Sequence, residues 1–77
     1  MMEQPQDVRF VICIENTAYQ AALERRKIYQ CIPDAAAAAH HLLRVIDESG
    51  EDYLYPATYF IPVQLPPNVQ AALLHVA

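Results

Sequence analysis

The sequence predicts a mainly β domain of about five strands curved into a small barrel, with a short alanine-rich helical turn and a C-terminal helix. Three observations predict it. Val8 to Glu15 alternates with a period of two. Leu42 to Val63, LLRVIDESGEDYLYPATYFIPV, reads as a strand, a turn on the chain's single glycine, a second strand and an aromatic–proline cluster. The large apolar residues are mainly Val, Ile, Leu, Tyr and Phe, which suit pleated, half-buried surfaces. Seventy-seven residues make one domain, and 55% hydrophobic residues are enough for one core even though alanine supplies many of them.

Met1 to Asp7 is polar, carries a proline and is expected as a lead-in to a barrel over residues 8–65. In the first strand Val8, Phe10, Ile12 and Ile14 make one face. Arg9, Val11, Cys13 and Glu15 make the other, which is partly apolar. Asn16 to Ala22 is open between a helix capped at Asn16-Thr17 and a long loop. Leu23 to Ile32 alternates only at its end, and Pro33-Asp34 terminates that strand. Asp34 is placed to cap Ala35 to Ala39, the best intrinsic helix former in the chain. Leu42 to Asp47 is assigned as a strand, although its apolar spacing also fits a continued helix ending at Gly50. A two-residue turn at Ser49-Gly50 would set Ile46 against Tyr53, Val45 against Leu54 and Arg44 against Tyr55. It would also set Glu48 against Glu51 and Asp47 against Asp52, which repel. A wider loop over Glu48 to Glu51 would relax that, so the turn type is open. Pro56 to Tyr59 reads as one 3₁₀ turn. Phe60 to Leu65 resumes extended chain, with Pro62 confining it to an edge or to a position that needs no donor. After Pro66-Pro67, Asn68 caps a helix whose Val69, Ala72, Leu73 and Val76 form one apolar stripe. That helix, within 66–77, is expected to pack on the barrel.

From Leu23 to Val63 the chain resembles an SH3-like barrel. LERRKIYQCI stands where that family has its diverging turn and second strand, DAAAAAHH replaces the loop before the third strand, LLRVID is the third strand and DESGED the distal loop. DYLYPATYFIPV looks like the family's fourth strand, Pro-containing 3₁₀ turn with a Tyr, and closing strand. The chain is also similar to small bacterial proteins with an RVIDESGEDYLYP core, a likeness that implies no activity. SH3 domains bind proline-rich peptides on an aromatic surface, and the resemblance carries only Pro56 and Tyr59 to that motif, with Tyr19 from the first long loop as a third. Leu42 or Leu43 stands where the family has a tryptophan, and this chain has no tryptophan. The resemblance therefore implies fold and does not imply peptide binding.

Candidate chemistry is sparse. Cys13 and Cys31 lack a C-x-x-C spacing and read as small buried side chains, although Arg25 to Lys27 could make Cys31 reactive. His40 and His41 diverge on a helical turn, and His75 is remote from them, so no metal or cofactor is implied. Asp47, Glu48, Glu51 and Asp52 read as a solvated hairpin tip. No nucleophile–base pair is visible, so an enzyme is not expected. Net charge is −4, which argues against nucleic acid. No stretch has a membrane span's length or a secretory signal's order, so a cytoplasmic location is expected. The five tyrosines suit a contact surface. The expected function is therefore an interaction module that binds a protein partner or itself through Tyr55, Pro56 and Tyr59, with Tyr19. The alternative is a nucleic-acid-associated protein using Arg25, Arg26 and Lys27, whose alternation along a strand would dilute the patch.

Overall fold

The computed structural model describes residues 9–74; the Met1–Asp7 lead-in, Val8, His75 and Val76 lie outside the described residues. Five strands, two α-helices and a 3₁₀ turn follow in the order β1 (Arg9–Cys13), β2 (Ile28–Ile32), α1 (Ala35–Ala39), β3 (Leu42–Ile46), β4 (Asp52–Pro56), the 3₁₀ turn Ala57–Tyr59, β5 (Phe60–Val63) and α2 (Pro67–Leu74). The strands form one antiparallel sheet in the order β4-β3-β2-β1-β5. Leu42–Ile46 is a strand, so the helical alternative for that segment falls.

The sheet order carries a geometric demand. β4 and β5 are its opposite edges, yet only Ala57–Tyr59 joins them. A flat sheet of this order would separate those edges by four spacings of about 4.8 Å, roughly 19 Å. Four steps of chain drawn out at about 3.5 Å each reach only about 14 Å, and a 3₁₀ turn is shorter still. The sheet must therefore curl, and the Tyr55 and Phe60 rings at its two edges meet with centroids 6.3 Å apart. The turn is held from both sides, by Ala57 N–H donating to His41 C=O at 3.0 Å and Ile14 N–H donating to Tyr59 C=O at 2.7 Å.

The expected closed barrel is not formed. Among the described residues no ladder joins β4 to β5, and the sheet stays open. The reason lies in β5. Ile14 bonds Tyr59, so by alternation Ile61 and Val63 direct their backbone groups at β1 while Phe60 and Pro62 face outward. Phe60 N–H is taken by Ala57 C=O, and Pro62 has no N–H to give. Pro62 thus stands at a position that needs no donor.

The β3–β4 register differs by one residue from the two-residue-turn expectation: Leu43 faces Tyr55, Arg44 faces Leu54, Val45 faces Tyr53 and Ile46 faces Asp52. The wider loop wins. Gly50 N–H donates to Asp47 C=O at 2.9 Å, Asp47 N–H donates to Glu51 C=O at 3.1 Å, and Gly50 lies at φ +86°. This is a three-residue hairpin loop whose last residue is left-handed, the place where glycine costs least. A slip of one residue exchanges the faces of a strand, and here it turns Val45 and Tyr55 into the core together.

The core lies on the Val11–Cys13 face of β1, with Tyr29, Cys31, Val45, Tyr55 and Phe60 from the other strands. The opposite face of β1 is less covered: Phe10 is buried, but Ile14 is 45% exposed. Leu23, fully buried, plugs the concave side from the long β1–β2 loop. That loop is a series of turns with no helix, settling the segment Asn16 to Ala22. Asp34 caps α1 through a 3.0 Å bond from Ala37 N–H, as its position predicts. No residue of α2 is buried, and Val69 and Leu73 of its apolar stripe are each 36% exposed.

Two substitutions test this account. A Cβ at Gly50 meets nothing within 4 Å, so the cost of Gly50→Ala is backbone strain alone, about 1–2 kcal/mol, with Gly50→Asn milder. Equal urea midpoints for all three proteins would contradict the left-handed turn. Leu23→Ala should cost about 2–5 kcal/mol, a large share of the ~4–12 kcal/mol expected of a chain this size. A loss under about 1 kcal/mol in urea unfolding would show that the loop is not part of the core.

Candidate functional site

The long loop sets one tyrosine over the curl of the sheet. Tyr19 N–H donates to Asn16 C=O at 2.8 Å, and Tyr19 C=O accepts from Ala22 and Leu23 N–H at 3.0 Å. Asn16 Nδ2 donates to Leu23 C=O at 2.9 Å, so the turn carrying Tyr19 is tied to the buried plug beside it. The Tyr19 ring then stands edge-on to Tyr55 at 4.9 Å and inclined to Tyr59 at 6.0 Å. Such edge contacts are favourable because the positive ring rim meets a negative face.

The structure thus brings together the three tyrosines of the expected contact surface, in two layers, with Pro56 next to Tyr55 at the end of β4. Tyr19 is 39% exposed, and Tyr59 and Pro56 are half-buried. Tyr55 is only 4% exposed and lies beneath, because the hairpin register places it opposite Leu43 on the core side. Its hydroxyl donates to Asp47 Oδ2 at 2.5 Å.

The acidic hairpin was expected to be a solvated tip, and Asp47 departs from that. Asp47 is 7% exposed. Its Oδ1 accepts from the Ser49 N–H at 2.8 Å and the Ser49 hydroxyl at 2.6 Å, which also holds the turn. Burial raises the Asp47 pKa, but the bonds from Ser49 and Tyr55 outweigh it, and the carboxyl stays below its ordinary value. Burial, then the hydrogen bond to Asp47, pushes the Tyr55 phenol well up, so the pair is a neutral phenol donating to a carboxylate. Glu48 makes a parallel arrangement. It accepts from Lys27 at 2.6 Å and from the Tyr29 hydroxyl at 2.5 Å, and these bonds, Lys27 first, hold its carboxyl low. Tyr29 in turn accepts from Glu24 N–H at 2.8 Å. Glu48, Glu51 and Asp52 stay at the surface, and Asp52 pairs with Arg44 at 2.8 Å.

Arg25 and Arg26 do not alternate along a strand as expected. They lie in the turn before β2, where Arg26 takes φ 71° and donates its N–H to Cys13 C=O at 2.7 Å. Both are exposed, while Lys27 is engaged by Glu48 and by the Tyr29 ring at 5.6 Å. Cys13 and Cys31 are buried free thiols whose pKa values burial raises, a setting that disfavours the thiolate. His40 and His41 are exposed, and among the described residues no three His, Cys, Asp or Glu side chains are grouped as metal ligands. No helix of the described residues is long and apolar enough to cross a membrane. No family model, curated protein or solved structure matches the chain.

Asp47, Glu48, Tyr29 and Leu23 were not anticipated as organising residues. The spacing Asp47-x-Ser49 is a local signal for an Asx-type turn and could have found the first. The Tyr29–Glu48 pair is 19 residues apart and leaves no local trace.

Because the folded Asp47 carboxyl sits below its unfolded value, its contribution is complete above the ordinary carboxylate pKa of about 4 and is lost as pH falls through the depressed value. Asp47→Asn should cost about 1–3 kcal/mol at neutral pH and flatten the acid limb of a stability–pH profile. An unchanged acid limb would remove Asp47 from the stability account.

Proposed function

We infer that this protein is a small non-enzymatic interaction module of the SH3-like kind, which takes a protein partner, or a second copy of itself, on the face made by Tyr19, Pro56 and Tyr59. Its strand order and the 3₁₀ link between the fourth and fifth strands support the SH3-like resemblance. The observation that carries the contact surface is the placement of Tyr19. It is an exposed aromatic ring, braced edge-on by Tyr55 and Tyr59, with Tyr55 itself locked by Asp47. A braced tyrosine loses little side-chain entropy on binding and offers both an apolar ring and a hydroxyl. The partner this surface suits is a largely uncharged protein segment with apolar side chains.

The nucleic-acid reading rests on Arg25 and Arg26, which are exposed neighbours. With Lys27 paired to Glu48, two cations are left, and two would give a salt slope of only about −1.4 on single strands.

A photoreactive residue at position 19 should cross-link a protein partner, and Tyr19→Ser with Tyr59→Ser should weaken capture at least about tenfold at unchanged circular dichroism. Undiminished capture by the double variant would reject the surface. Salt-dependent binding to generic RNA, lost in Arg25→Ala/Arg26→Ala, would favour the other reading.

A further inference from the structure

The two edges of the sheet differ in a way that points to a second contact. Natural sheets blunt their edges with proline, lysine or bulges. The β5 edge is closed in this way, since Pro62 faces outward and Phe60 N–H is spent on Ala57 C=O. The β4 edge has its own proline, Pro56, facing outward only at the strand's last position, opposite Leu42, and is left open over Asp52 to Leu54. Asp47–Glu51 and His41–Ala57 are backbone-bonded pairs, so by alternation Tyr53 and Tyr55 direct their N–H and C=O groups at β3. Asp52 and Leu54 direct theirs outward, and among the described residues these four groups have no hydrogen-bond partner. Tyr53 is 50% exposed and Leu54 40% exposed beside them.

We propose that this edge of β4 pairs antiparallel with β4 of a second copy about a two-fold axis, joining two sheets into one. One register satisfies all four outward groups. Asp52 lies opposite Leu54 of the partner subunit, each exchanging N–H and C=O, and Tyr53 lies opposite Tyr53 of the partner subunit on the axis. In that register no two carboxylates face each other, since Glu51 falls opposite Tyr55 of the partner subunit. The single carboxylate within β4 is already neutralised, because Asp52 is held by Arg44 at 2.8 Å. That favours a second copy despite the net charge of −4 on each chain. The contact goes beyond the Tyr19 face, uses none of its exposed residues and stands or falls separately from it.

Sedimentation equilibrium from micromolar to millimolar protein tests the proposal. The full chain should reach twice its monomer mass. N-methylation of Leu54, installed by chemical synthesis, removes only an outward N–H and should weaken the dimer at least about tenfold without changing the monomer's thermal unfolding. Tyr53→Cys should form a disulfide-linked dimer on mild oxidation, since residues paired across an axis are within disulfide reach, whereas Ile61→Cys on the other edge should not. A chain that stays monomeric at millimolar concentration overturns the proposal, as does an N-methylated chain that dimerises unimpaired or a Tyr53→Cys chain that does not cross-link. Dimerisation unchanged by Tyr19→Ser separates this contact from the aromatic face.

Discussion

Ala57 to Tyr59 join the two outermost strands of the sheet, and three residues cannot cross its flat width. That constraint sets the curl, and the curl sets the rest. It brings Tyr55 and Phe60 from opposite edges to one centre. It leaves a concave side that strands alone do not fill, so the long first loop folds back to insert Leu23. The turn bearing Tyr19 is the outer part of that same inserted segment, held by Asn16 and by the Ala22 and Leu23 amides. The aromatic face is therefore a consequence of closing the core.

Two phenol–carboxylate pairs then secure the distal hairpin to the body. Tyr55 to Asp47 ties the hairpin across its own strands, and Tyr29 to Glu48 ties it to β2 and the first loop. A buried carboxylate is costly unless its oxygens are occupied. Asp47 meets that condition with Ser49 and Tyr55, while Glu48, at the surface, is engaged by Lys27 and Tyr29. Arg44 extends the pattern on the other face, linking the α1 cap Asp34 to Asp52 of β4. Most of the acidic residues near the hairpin thus act in holding the fold, which is why their clustering says little about a ligand.

The same parity that seats Pro62 without a missing hydrogen bond leaves β4 as the open edge. Both features are read from which backbone pairs bond, and neither needs any side chain to be functional. The aromatic face and the outward groups of β4 lie on one small domain that leaves eight of its large apolar side chains exposed among the described residues.

Local signals in the sequence determined the strands, the cap at Asp34, the 3₁₀ turn and the use of the single glycine, because each depends on neighbours within a few residues. The SH3-like resemblance pointed to Tyr19, Pro56 and Tyr59, although bringing Tyr19 to Tyr59 required about forty residues of intervening fold. Three matters belonged to tertiary structure alone. The hairpin register turned on whether Asp47 would be solvated or bonded to Ser49 and Tyr55, a balance that alternation of apolar residues cannot weigh. Which face of β1 points inward depended on Leu23 entering from a distant loop. Whether the sheet closes depended on the outward parity of Pro62, which is fixed only when β5 finds its partner. Periodicity reports that a strand has faces; only the contacts made by the rest of the chain decide which one is buried.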